Sequence, residues 1–159
     1  KSALLNALVG NDRMLTGPEA GITRDPISIE WEFDGHRLAL ADTAGMRRRA
    51  RSEEKLEKLS VGNSLNAIQY AHVVALVLDS DQMLEKQDLA IARHVIEEGR
   101  AFVIVVNKWD LVTDGAAALR VLRDRMEISL PQGTGTPIVT LSAATGRGLD
   151  RLMPAGLKA

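Results

Sequence analysis

The chain has 159 residues, of which 45% are hydrophobic and only 3% are aromatic, so one domain with a mainly aliphatic core is expected. With a formal net charge of -1, the chain has no overall positive electrostatic field that could bind a polyanion. The absence of cysteine excludes a disulfide framework and a thiolate metal site. The sequence shows neither a membrane-spanning run nor a signal-peptide pattern, so a cytoplasmic protein is expected.

Lys1 and Ser2 precede a helical pattern of leucine and valine residues that Gly10 is placed to end. Lys-Ser at a helix start is the end of a phosphate-binding loop, in which the lysine reaches the β- and γ-phosphates and the hydroxyl binds magnesium. The glycine-rich part of such a loop would precede Lys1, so an N-terminally truncated domain is expected. The alternative is an ordinary helix end.

Residues 11–25 are rich in turn formers and lack a sustained period, which predicts a long loop. Thr23 is the candidate residue here, because a threonine in a nucleotide switch completes the magnesium shell with its hydroxyl and contacts the γ-phosphate with its amide. The alternative is a solvent-exposed turn threonine.

Alternating apolar residues predict a strand over 27–33, and an Asp-Gly turn signal leads to a return strand over 38–41. The return strand ends at Asp42 in the sequence Asp-Thr-Ala-Gly. An aspartate at a strand end can hold magnesium, and the Gly45 amide can approach a γ-phosphate because no side chain blocks it. The same residues also fit a plain turn.

Strands and helices alternate in the rest of the chain. Residues 53–70 are mostly helical with a weak point at 62–63, and the later elements are strands over 73–79, 102–106 and 137–141, helices over 87–98 and 116–130, and a closing helix from 148. The first two of these strands are predicted to be buried on both faces. This order predicts an α/β fold with a mainly parallel sheet, one antiparallel hairpin strand and helices on both faces.

The strand over 102–106 opens into Asn107, Lys108, Trp109 and Asp110. Ligands of open α/β sheets bind beyond the carboxyl ends of such strands. A carboxylate there can accept the ring N–H and the exocyclic amine protons of guanine, whereas adenine presents an acceptor at the matching ring position. Asp110 therefore indicates guanine selectivity, and the alternative is a strand-to-helix loop without a ligand.

Five short motifs follow the order and approximate spacing of the guanine-nucleotide motifs: Lys1-Ser2, Thr23, residues 42–45, residues 107–110 and Ser142-Ala143. Each is weak alone, but together they resemble the translation-factor-like branch of the P-loop GTPases. Within that branch, the chain resembles most specifically the second GTPase domain of the EngA (Der) ribosome-assembly GTPases. The residues that carry this resemblance are 21–25, 42–49, 57–61 and Trp109. The resemblance implies a three-layer P-loop NTPase fold of the small G-protein type, as a single domain over 1–159.

The resemblance also implies a role for each matching residue. Binding of the phosphates and Mg²⁺ would rest on Lys1, Ser2, Thr23, Asp42 and Gly45. Within this set, the catalytic residues would be Lys1, Thr23 and Gly45, and the metal ligands would be Ser2, Thr23 and Asp42. Asn107, Lys108 and Asp110 would frame the base of GTP or GDP, and Ser142-Ala143 would supply the Ala143 amide to the guanine carbonyl.

Met46 stands where many small GTPases have the glutamine that orients the attacking water. A thioether cannot polarise water, so slow intrinsic turnover is expected. Some GTPases with a hydrophobic residue here use a monovalent cation such as K⁺ instead. The four arginines within 47–51 form either a solvated loop or, as we favour, a contact with RNA or an acidic partner.

The resemblance covers this whole chain but only part of the proteins of that family, which carry two tandem GTPase domains and a C-terminal KH-like RNA-binding domain. It implies a GTP-hydrolysing switch that controls binding to the large ribosomal subunit or its precursor rRNA. It implies no membrane partner. Two alternatives stay open: a truncated G domain that acts only as a binding module, and the GTPase domain of a tRNA-modification protein.

Overall fold

The computed structural model describes residues 68–159 throughout, the backbone of 28–33 and 36–41, and four residues of an N-terminal helix, Ala3, Leu4, Ala7 and Leu8. The chain divides into two compact units, 1–67 and 68–159. The four helical residues agree with the predicted N-terminal helix, and Leu4 and Leu8 are buried, as the apolar pattern predicts. That residues 1–159 act as a single domain stays a prediction.

An antiparallel hairpin lies in the first unit. Strand β1 spans Ser28–Phe33 and strand β2 spans His36–Ala41. The register pairs Phe33 with His36, which leaves two residues between the strands, as the Asp-Gly signal predicts. The return strand begins two residues earlier than predicted because the antiparallel ladder continues up to this short connection.

The second unit contains a parallel sheet with the strand order β3-β4-β5. Strand β3 spans Val73–Asp79, β4 spans Ala101–Asn107 and β5 spans Ile138–Thr140. These strands confirm the three predicted ones, although β5 is shorter than expected. The residues flanking β5 still bond to β4, because Ile104 N–H donates to the Pro137 carbonyl and Leu141 N–H donates to the Val106 carbonyl.

Three helices accompany this sheet: α1 over Lys86–Glu97, α2 over Gly115–Ser129 and α3 over Leu152–Lys158. Helix α1 ends close to Gly99, whose φ of +64° is the left-handed conformation that stops a helix. The closing helix begins later than predicted, because a 3₁₀ turn over Leu149–Arg151 precedes α3.

Strand β4 lies at the centre of the core, with both of its faces covered. Phe102, Ile104 and Val106 pack with buried residues of β3, α1 and α2. Val103 and Val105 point to the opposite face, where α3 lies against β3 and β4, and both are fully buried. The prediction of a parallel sheet with helices on both faces is therefore confirmed in this unit.

The prediction that β3 is buried on both faces is wrong. Leu76 and Leu78 are buried, but Val73 is 39% exposed and Ala75 is also exposed. Val73 and Ala75 lie on the face that α3 approaches. A helix of seven residues is only about 10 Å long, so α3 covers this face only in part.

Candidate functional site

Polar residues follow each of the three parallel strands of the second unit. Asp79 and Ser80 lie at the end of β3, residues 107–110 lie at the end of β4, and residues 142–143 follow β5. Because the strands are parallel, these three segments meet at one edge of the sheet, where α/β proteins bind their ligands. The predicted base-binding residues are therefore brought together.

Asn107 joins the loops that follow β4 and β5. Its side chain is buried, and its Oδ1 accepts a hydrogen bond from the Ala143 N–H at 3.0 Å. A buried amide oxygen needs such a partner, and this bond holds two motifs in register that lie 36 residues apart. The Ala143 N–H is thus donated within the protein, so a guanine carbonyl at this place would share it.

Ser142 shapes the loop after β5 from inside. It is 1% exposed, and its hydroxyl oxygen accepts a hydrogen bond from the Thr145 N–H at 3.2 Å. Its own N–H donates to the Arg147 carbonyl at 2.8 Å, and its carbonyl accepts from Gly146 N–H at 2.9 Å. Ser142 therefore fixes the turn that presents Ala143.

Gly148 closes this loop in a conformation that requires glycine. Its φ is +80°, and a Cβ atom built there would lie 2.5 Å from the carbonyl oxygen of Thr140. The backbone can approach β5 this closely only without a side chain. The sequence marked Gly148 merely as the start of the closing helix, and its role depends on a contact that local pattern does not show.

Lys108 adopts the left-handed conformation, with φ 61° and ψ 33°, at the start of a 3₁₀ turn over Trp109–Leu111. Its Nζ lies 2.8 Å from Oδ2 of Asp79. The hydrogen bond with Asp79 and the attraction of that carboxylate raise the pKa of Lys108 above its usual 10.5, while desolvation acts in the opposite direction. Lys108 is therefore charged at neutral pH and directed towards β3.

Trp109 and Asp110 point into different surroundings within this turn. A Cβ atom at Gly115 would lie 3.0 Å from Trp109 Cζ2, so the indole packs closely against the start of α2. Asp110 is exposed, and its carboxylate makes no hydrogen bond or ion pair within residues 68–159. Within residues 68–159, no polar group competes with a ligand for that carboxylate.

A cavity of about 270 Å³ opens beside these loops. It is lined by Trp109, Asp110, Val112, Gly115, Thr140, Leu141, Ser142, Arg147, Gly148 and Arg151. A larger cavity of about 770 Å³ is lined by residues 81–87 and 89 with Arg125 and Ser129, and none of the predicted site residues within 68–159 lines it. The smaller cavity is the candidate site, because it borders the Asp110 carboxylate, which has no polar partner within residues 68–159.

The predicted phosphate and metal residues lie outside the described residues: Lys1, Ser2, Thr23, Asp42 and Gly45. Met46 and the arginines of 47–51 lie there as well. In the described part of the chain no group of three or more histidine, aspartate or glutamate residues is placed to hold a metal ion. Among the helices of that part, none is both long and apolar enough to cross a membrane.

Two residues of the site were missed by sequence reasoning, Asp79 and Ser80. The sequence pattern gives Asp79 only as the last residue of a predicted strand, and none of the motifs includes Ser80. The signal was available in part, since a polar pair at the carboxyl end of a parallel strand is a candidate for the same ligand edge. Its partner, Lys108, could not be identified without the register of β3 against β4.

Comparison with known proteins identifies relatives over the whole chain. The family model of the 50S ribosome-binding GTPases matches residues 1–108. GTPase Der of Parvibaculum lavamentivorans is 63% identical over 155 residues, which are 98% of this chain and 33% of that protein. GTPase Der of Mesorhizobium japonicum is 56% identical over 158 residues, which are 99% of this chain and 33% of that protein. The chain thus spans about a third of the length of the curated relatives it matches.

A solved structure shares the fold. The crystal structure of Era in complex with MgGDPNP and nucleotides 1506–1542 of 16S ribosomal RNA aligns with a TM-score of 0.73 and 25% identity. The alignment covers 99% of this chain and 51% of the Era chain. It confirms the predicted P-loop fold of the small G-protein type.

Proposed function

The chain belongs to the 50S ribosome-binding GTPase family, and from this premise we propose that it is the GTP-binding and GTP-hydrolysing part of a molecular switch. One observation carries the nucleotide assignment. The Asn107 side chain locks the loops after β4 and β5 together, while the Asp110 carboxylate beside them stays exposed and unpaired within residues 68–159. This is the arrangement that a base-reading carboxylate needs.

Asp110 would select guanine by accepting two hydrogen bonds, from the ring N–H and from the exocyclic amine. Adenine would face the carboxylate with a ring acceptor, and a site with an unpaired polar group rejects such a ligand strongly. Hydrogen bonds to a charged group contribute about 1.5 to 3 kcal/mol each, which is enough to discriminate between the two bases. Ala143 would share its N–H with the guanine carbonyl.

Phosphate binding and hydrolysis are proposed for residues that match the family motifs: Lys1, Ser2, Thr23, Asp42 and Gly45. Mg²⁺, held by Ser2, Thr23 and Asp42, would neutralise charge that develops on the phosphates. Lys1 and the Gly45 amide would contact the γ-phosphate. Because Met46 cannot orient water, intrinsic turnover would be slow, and K⁺ is proposed as an additional cation.

We propose the large ribosomal subunit or its precursor rRNA as the partner of the complete gene product, in the cytoplasm, with an adjacent G domain and a KH-like domain. The description of the family as 50S ribosome-binding supports the large subunit. The Era structure holds a segment of 16S rRNA, which is small-subunit rRNA, and supports only contact with rRNA. Replacing the arginines of 47–51 by glutamine is expected to weaken ribosome or rRNA binding more than nucleotide binding. An equal loss of both would argue against a partner role.

The nucleotide assignment is tested by Asp110→Asn in the complete gene product, with GTP and xanthosine triphosphate (XTP) titrated in the presence of Mg²⁺. Xanthine carries a carbonyl where guanine carries its amine, so an amide at 110 is expected to weaken GTP binding and to permit XTP binding. Asp114→Asn is the matched control, because Asp114 is exposed and caps α2 through Ala117 N–H, which asparagine also does. Unchanged GTP binding together with no XTP binding would overturn the assignment.

Hydrolysis requires a separate measurement. We expect phosphate release from GTP by the complete gene product only when Mg²⁺ is present. Tight, selective binding of GTP with no turnover at any Mg²⁺ or K⁺ concentration would instead favour a G domain that acts only as a binding module.

A further inference from the structure

A two-residue segment at the end of β3 makes three polar contacts with the turn that begins at Asn107. Ser80 N–H donates to the Asn107 carbonyl at 3.1 Å, and the Ser80 hydroxyl donates to the Lys108 carbonyl at 3.0 Å. The Asp79 carboxylate pairs with Lys108 Nζ at 2.8 Å. Asp79 and Ser80 therefore hold the Lys108 side chain and both peptide groups that flank its Cα.

Lys108 needs such support because of its backbone. A residue with a Cβ atom is strained at φ 61°, and such conformations persist only where surrounding contacts determine them. Within residues 68–159 the positive-φ residues other than glycine are Leu84 and Lys108. The strain at Lys108 lies in the middle of the base-recognition motif, between the buried Asn107 and the exposed Asp110.

The ion pair is open to solvent rather than buried. The side chains of Lys108 and Asp79 are 45% and 35% exposed, so the pair adds little to folding stability. A weak contribution to stability combined with three convergent contacts on one strained residue fits a role in positioning. The raised pKa of Lys108 agrees with an Asp79 contact that keeps the ammonium charged.

We propose that Asp79 and Ser80 are positioning residues for base recognition, acting through Lys108. Asp79 would fix the direction of the lysine stem, and Ser80 would fix the peptide groups on either side, so that Lys108 and Asp110 keep a constant arrangement towards the base. The proposal rests on the proposed guanine site. It assigns different tasks to two aspartates, because Asp110 would read the base and Asp79 would not touch it.

The test uses XTP as a reporter for this site. In the Asp110→Asn variant of the complete gene product, XTP binding comes from the altered site, even if the protein binds GTP elsewhere. Asp79→Asn, Lys108→Met and the combination of both are then introduced into that variant, and the XTP dissociation constant is measured by calorimetry.

Asp79→Asn is expected to raise the XTP dissociation constant about two- to fivefold, the range for a partly exposed ion pair. The preference for XTP over GTP should stay unchanged, because the base is still read at position 110. Once Lys108 is methionine, Asp79→Asn should have no further effect. Asp79→Glu should restore most of the binding, and Ser80→Ala should weaken it less than Asp79→Asn.

Asp81→Asn is the matched control, since Asp81 is exposed, lies two residues from Asp79 and acts on Lys108 only through a weak charge effect. It should leave the XTP dissociation constant unchanged. The positioning role would be overturned if Asp79→Asn changed the XTP dissociation constant equally with Lys108 present and with Lys108 replaced by methionine. It would also be overturned if Asp79→Asn did not change the XTP dissociation constant at all. If the Asp110→Asn variant alone binds no XTP, the guanine site itself fails, and this inference fails with it.

Discussion

Asn107 and Asp110 lie three residues apart in one motif but in opposite surroundings. Asn107 is 5% exposed and bonded to the loop after β5, whereas Asp110 is exposed and has no polar partner within residues 68–159. The difference shows that the motif combines two kinds of residue. One kind holds the loops together, and the other has no partner among the described residues, as we expect for a residue that reads a ligand.

The two kinds of residue should respond differently to substitution. Substitutions among the loop-building residues should reduce folding stability, and substitutions of the exposed Asp110 carboxylate should change ligand binding with little effect on stability. The loop-building residues are Asn107, Ser142 and Gly148.

The largest effect is expected for Gly148→Ala. The new Cβ atom would meet the Thr140 carbonyl, and alanine would be strained at a φ of +80°. We expect a loss of about 3 kcal/mol in the free energy of unfolding, measured by urea denaturation with tryptophan fluorescence. Gly135→Ala is the control, because the φ of Gly135 is also positive, at +89°, but a Cβ atom built there has no atom of a non-adjacent residue within 4 Å. A loss of about 1 kcal/mol in the free energy of unfolding is expected from the backbone strain alone. Equal losses would show that the contact with Thr140 does not matter.

Asn107→Ala should come next. It removes the acceptor of the Ala143 N–H and leaves a gap between the two loops. We expect a loss of about 2 kcal/mol, against less than about 0.5 kcal/mol for Asp110→Ala at the exposed position. Equal losses of stability for both substitutions would contradict the claim that Asn107 holds the loops together and Asp110 does not.

Ser142→Ala should have a smaller effect. It removes one buried hydroxyl acceptor from the Thr145 N–H, while the backbone hydrogen bonds of the turn remain. A loss of about 1 kcal/mol is expected in the same urea assay. Thr113→Ala is the control, because Thr113 also carries a hydroxyl but is exposed, and it should be neutral. A neutral Ser142→Ala would show that the backbone alone holds this turn.

The smallest effect concerns pH. The pKa of Lys108 is raised in the folded protein, so the stabilisation that comes from its pairing with Asp79 is fully present below pH 10.5 and is lost as the pH rises through the raised pKa. The difference in stability between the wild type and Lys108→Met should therefore be constant from neutral pH upwards and shrink only above pH 10.5. A change in this difference near neutral pH would mean that another group controls it.

The sequence predicted the elements whose signals are local. Continuous apolar residues indicated β4, a two-residue turn signal indicated the hairpin, and the polar residues after β4 marked the ligand edge. The exposed half of β3 was missed, because burial depends on the length of a helix packed from far along the chain.

The detailed contacts of the site also depend on distant residues. The partners of Lys108 and Asn107 lie 27 to 36 residues away, and only the strand register brings them close. The sequence predicts that the Ala143 N–H donates to guanine. It does not predict that Asn107 also accepts a hydrogen bond from this N–H. The Asp79 contact could not be foreseen, because an aspartate that ends a strand has no pattern that names its partner.

A crystal structure of the complete gene product with GDP would test the central claim most directly. We expect the Asp110 carboxylate to lie within hydrogen-bonding distance of the ring N–H and the exocyclic amine of guanine, with Asn107 still bonded to Ala143. A base bound elsewhere, or guanine bound with Asp110 turned away from it, would contradict the division of the motif into building and reading residues.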